Sequence, residues 1–125
     1  MGAVYGVAGI GFGALAGWAP SPQMREAWRL AAWLTSAAAF AAHIGYEHFR
    51  LRSSPRTTAW HAAAAVAVGA FALAVAANVH ALRVAPSYNR LLAVALVVWP
   101  AMTAAPAFVV ALAAAAGLAR ALPRS

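Results

Sequence analysis

Four long apolar runs, separated by short segments of proline, serine and arginine, leave this chain few ways to fold. The runs cover residues 2–19, 24–49, 58–83 and 90–119. Between them lie Pro20, Ser21 and Pro22, then Arg50 to Thr57 with Ser53, Ser54 and Pro55, then Arg83 to Arg90 with Pro86, Ser87 and Asn89. A hydrocarbon layer of about 30 Å takes roughly 20 helical residues to cross, and each run is expected to reach that length. Inside such a layer no water pairs the backbone amides, so each run is driven into a helix that satisfies its own. The expectation is an all-α integral membrane four-helix bundle, one domain over residues 1–125, running up-down-up-down through a lipid bilayer.

Composition supports the same solvent. Hydrophobic residues make up 65% of the chain, charged residues 9%, and the mean hydropathy is +0.75, whereas soluble domains carry about 25% charged residues. The formal charge of +7 comes from arginine alone, and there is no cysteine for a disulfide or a thiolate metal site. Because the arginines stand singly or in small groups between apolar runs, they read as membrane loops and not as a nucleic-acid surface. An even number of crossings puts Arg50, Arg52, Arg56, Arg120 and Arg124 on one side with both termini, and Arg25, Arg29, Arg83 and Arg90 on the other. That slight excess points to cytoplasmic termini in a bacterial inner membrane. It is small enough to leave room for dual insertion, with antiparallel copies pairing.

Within the first run, glycine recurs at Gly2, Gly6, Gly9, Gly13 and Gly17. Steps of three and four place these on one helix face, a smooth strip on which a neighbouring helix can approach closely. Gly6, Gly9, Gly13 and Gly17 are therefore expected to pack against another copy or a larger membrane partner. The string from Gly9 to Ala14 matches a dinucleotide-binding fingerprint by letter but lacks the strand before it and the acid about twenty residues after it. The fourth run contains Pro100 and Pro106, each of which removes an amide donor and frees a carbonyl one turn earlier, so this long helix is expected to kink.

Function would sit at the few polar residues inside the crossings. His43 and Glu47 are four apart, on one helical face, and His61 lies about as far beyond the Arg52 turn as His43 lies before it. The two histidines could serve as axial ligands of a b-type haem, or the trio could hold one divalent metal. The plainer account has Arg50 neutralising Glu47 and the histidines near the headgroups. At the opposite end Glu26, Asn78, His80 and Arg83, with Thr103 on the fourth helix, could form a gate or path. There the plainer account is an ion pair between Glu26 and Arg25, Arg29 or Arg83. The chain has no aspartate, and Ser36, its one serine inside a crossing, has no base at helical spacing, so hydrolytic catalysis is not expected. The function expected is that of a non-catalytic, oligomerising or accessory subunit of a membrane complex. A small oligomeric transporter or channel is the first alternative, and a haem electron carrier using His43 and His61 the second; no cofactor is otherwise expected.

Overall fold

The computed structural model describes residues 2–84 and 90–122. Among them the chain is all α, with no strand: α1 spans Gly2–Gly17, α2 Pro22–Phe49, α3 Pro55–Val84 and α4 Arg90–Ala121. The turn expected over Pro86, Ser87 and Asn89, and the terminal Arg124, lie outside the described residues.

Two helices begin earlier than the sequence suggested, and for the same reason. Ser21 is extended, with φ −132° and ψ 154°, and its side chain accepts a hydrogen bond from the Met24 amide at 3.2 Å. Pro22 then opens α2 at a position where a missing amide donor breaks no helical bond. Ser54 and Pro55 repeat the device: the Ser54 hydroxyl accepts from the Thr57 amide at 3.2 Å, and its carbonyl accepts from the Thr58 amide at 2.9 Å. Each proline, taken from sequence as part of a break, is the first residue of a helix. At the other boundary α1 stops at Gly17, two residues short of Ala19. The Ala19 amide reaches only three residues back, to Ala16 at 3.4 Å, and Pro20 has no amide to donate.

The α2–α3 turn is tight. The Arg50 and Leu51 amides both donate to the Tyr46 carbonyl, at 2.9 and 3.3 Å, and the Ser53 amide donates to the Glu47 carbonyl at 3.0 Å. Arg52 takes a left-handed conformation, φ 53°, which is uncommon for a residue with a Cβ. The α4 helix is continuous through Pro100 and Pro106. Between them the Thr103 hydroxyl lies 3.0 Å from each of the Trp99 and Pro100 carbonyls, within donating distance of both.

Cross-helix contacts fix the topology. Phe12 meets Trp28, Glu47 meets His61, Trp60 meets Phe108, and Asn78 meets the Leu92 carbonyl. From Trp60–Phe108 to Asn78–Leu92 the partner's number falls as the first rises, so α3 and α4 run antiparallel, and the short connections between helices in contact give the same up-down-up-down order to the others. The pair α3–α4 is packed most extensively, and α1 lies against both α2 and α3. The α2 helix touches α3 and α4 sparingly. Where it does, Ile44 and Phe40 meet Ala59 and Ala62 of α3 and Ala111 and Ala115 of α4.

Side-chain size is inverted relative to a protein that folds in water. Among the described residues every buried hydrophobic residue except Ile44 is an alanine, while Trp18, Trp33, Val97 and Leu91 are 87%, 72%, 73% and 74% exposed. Total accessible surface is 8283 Å², against about 6,300 Å² for a compact soluble monomer of this mass. Two of the helices are long and apolar enough to cross a membrane, over Pro55–Arg83 and Leu91–Ala121. Among the described residues the other two fall short of that standard, which corrects the expectation that all four runs are long and apolar enough to cross. The 16 residues of α1 rise only about 24 Å, and α2 carries Arg25, Glu26 and Arg29 near one end and His43, Glu47 and His48 near the other.

Candidate functional site

The last three turns of α2 turn inward a stripe at positions 40, 43, 44, 47 and 48, the spacing of one helical face, with Phe40 half-buried and the other four buried. Three of those five are polar. His43, Glu47 and His48 are 8%, 5% and 2% exposed, and Thr58, at the start of α3, is 1% exposed. The capped start of α3 holds His61 opposite Glu47. His61 Nδ1 and Glu47 Oε1 are 2.8 Å apart, a hydrogen bond in which the imidazole N–H donates to the carboxylate. His43 Nε2 lies 3.8 Å from the same oxygen. The structure thus brings together all three members of the expected cluster. His61 remains 54% exposed, so the group runs from the surface inward to His43.

Its satisfaction is uneven. Glu47 Oε2 and both ring nitrogens of His43 are buried without a hydrogen-bond partner. Arg50 makes no ion pair with Glu47, contrary to the plainer expectation: it is the C-cap residue, its amide bonded to Tyr46 and its side chain exposed. One carboxylate oxygen lies between the two imidazoles, hydrogen-bonded to His61 and 3.8 Å from His43. Among the described residues, no group of three or more His, Cys, Asp or Glu side chains is disposed to hold a metal ion.

At the far end the ion pair of the plainer account is not formed. Glu26 is exposed and pairs with none of Arg25, Arg29 and Arg83, and His80 and Arg83 are exposed as well. Glu26 lies exposed in the first turns of α2, where an ion pair contributes little. Asn78 is used structurally, its Nδ2 donating to the Ala74 carbonyl at 2.8 Å and across to the Leu92 carbonyl at 3.0 Å. That bond ties the end of α3 to the start of α4.

The glycine face divides in two. A Cβ added at Gly6 would lie 3.3 Å from the Ala72 Cβ, and one at Gly9 would lie 2.8 Å from Leu73, so both glycines pack against α3 of the same chain. At Gly13 and Gly17 nothing lies within 4 Å of that position. These two line a hollow of about 510 Å³ between α1 and the start of α2, together with Arg25 and Arg29. It continues past Gly9, Arg29 and Ala32 into a larger chamber of about 840 Å³. The chamber lies where α2 diverges from α3 and α4, and its walls include Trp33, Phe40, Leu73, Trp99 and Met102. Sequence reasoning missed this space and the depth of His48. The stripe that buries His48 was readable in the spacing from Phe40 onward, whereas the chamber depends on how far α2 splays, which no local pattern encodes. In comparison with known proteins, the chain matches no family model, no curated protein and no solved structure.

Proposed function

We propose that this chain is a multi-pass membrane protein in which all four helices cross the bilayer, acting as a non-catalytic, oligomerising or accessory subunit of a membrane complex. The observation that carries this reading is the inversion of size between core and surface, alanine within and Trp, Leu, Val and Met without. Water would penalise that arrangement, since soluble monomers rarely expose contiguous apolar patches beyond a few hundred Å². Hydrocarbon does not, and there small residues let helices approach while large ones face the lipid. The charges of α2 support its crossing too, because Arg25, Glu26 and Arg29 cluster at one end and Glu47 and Arg50 at the other. Long basic side chains at such ends reach the headgroups. The short α1 is held by α2 and α3, with Val7, Ile10, Leu15 and Trp18 turned outward.

Alkaline extraction of native membranes, followed by cross-linking in those membranes, tests both halves of the proposal. We expect the chain to stay in the pellet and to cross-link into a species larger than its 12.8 kDa monomer. Release into the alkaline supernatant would overturn the membrane reading, and a monomer alone after cross-linking would overturn the subunit reading.

A further inference from the structure

The two joined hollows have a chemistry of their own. At the α1–α2 end the walls carry Arg25 and Arg29, and beyond Arg29 the lining is apolar apart from Ser36 and Thr103. The Thr103 hydroxyl is already engaged by its own helix. No acid lines either hollow, and Glu26, the neighbour of Arg25 in sequence, is exposed and unpaired with either arginine. Arg25 and Arg29, both exposed, therefore line a cleft with no compensating negative charge. Guanidinium is the side chain best matched to phosphate, through paired N–H donors. Gly13 and Gly17 leave the floor open to within contact distance of the backbone. The chamber volume lies in the range of pockets that hold small molecules. Its rim includes Trp33 and Met102, 72% and 66% exposed, so it opens to the same surroundings as the rest of the apolar surface.

From this division of charge and hydrocarbon we infer that the cleft binds one anionic phospholipid of the surrounding bilayer. Its phosphate is held by Arg25 and Arg29, and an acyl chain lies in the chamber between α2 and the α3–α4 pair. The inference rests on the membrane reading above and is independent of the subunit reading. A lipid fits better than a peptide, because one end of the cleft asks for a single negative group and the remainder offers almost no hydrogen-bonding partner. The lipid would supply the packing that α2 lacks against α3 and α4.

The test is native mass spectrometry of the delipidated chain returned to nanodiscs of equal phosphatidylglycerol and phosphatidylcholine. We expect one retained lipid per chain, with a preference for phosphatidylglycerol of about thirtyfold, the scale set by two basic side chains near a lipid headgroup. R25Q/R29Q is expected to lose the preference, R25K/R29K to keep most of it, and Ala107→Trp, which fills the chamber, to retain no lipid. Alkaline extraction of every variant is read separately, so that failure of the lipid site is distinguished from failure of membrane insertion. Circular dichroism confirms that each variant is helical. The inference is overturned if the wild-type chain retains no lipid, takes both lipids alike, or carries a free fatty acid in place of phospholipid. An unchanged preference in helical R25Q/R29Q overturns it equally.

Discussion

Gly6 and Gly13 look alike in sequence and differ in what surrounds them. The close spacing of glycines was legible as a face for near approach, but its partner was not. That partner depends on how α1 lies on α3, and Gly6 and Gly9 turn out to be spent inside the chain. A side chain at Gly6 must displace the Ala72 methyl, which is fixed to the backbone, so Gly6→Leu should cost about 1–3 kcal/mol through overpacking. Gly13→Ala meets open space and should be neutral or stabilise by up to about 1 kcal/mol through helix propensity. Both are read from reversible unfolding in mixed micelles, and equal effects at the two sites would refute the division of the glycine face. The polar cluster makes a second residue-scale forecast. Replacing a buried group that has no partner removes a desolvation cost without leaving a new orphan. Hence His43→Leu should leave stability unchanged or raise it, whereas Glu47→Leu, which strips His61 of its acceptor, should lower it by about 1–3 kcal/mol. A large loss in His43→Leu would mean that the imidazole has a partner in the native protein.

Helix boundaries show what local chemistry can and cannot disclose. Proline was legible as punctuation. Its side of the boundary was not, because the same ring that ends one helix fits the first position of the next. What decides the matter is the serine before it, extended at Ser21 and bonded forward at both Ser21 and Ser54. Ser21→Ala and Ser54→Ala should each cost about 1 kcal/mol in the same unfolding measurement. The Ser54 change should loosen the turn that presents His61 to Glu47, visible as faster amide exchange over residues 55–61. Between α3 and α4 the cross-link from Asn78 to the Leu92 carbonyl is an interhelical polar bond at apolar surroundings. Removing it in Asn78→Ala should cost about 0.6–1.7 kcal/mol.

For the molecule as a whole, count, order and antiparallel pairing of the helices followed from four runs and three short connections, since short links force neighbours to pack side by side. Fitness of every run to cross a bilayer did not follow. Mean hydropathy concealed that α3 and α4 alone reach full length and apolarity, while α1 is short and α2 carries charge at both ends. A substitution on the outer surface reports the solvent directly. Val109 is 64% exposed near the middle of α4, where an exposed change in water would shift stability by no more than about 0.5 kcal/mol. In a bilayer Val109→Asp should cost about 2.5–3.5 kcal/mol and cut insertion in a glycosylation-reporter assay; unimpaired insertion would place that face outside hydrocarbon. The unequal helices also bear on biogenesis. On the membrane reading α1 is too brief to settle in a bilayer alone, and its seat against Ala72 and Leu73 exists only once α3 has been made, so α1 is secured later than the helix that receives it.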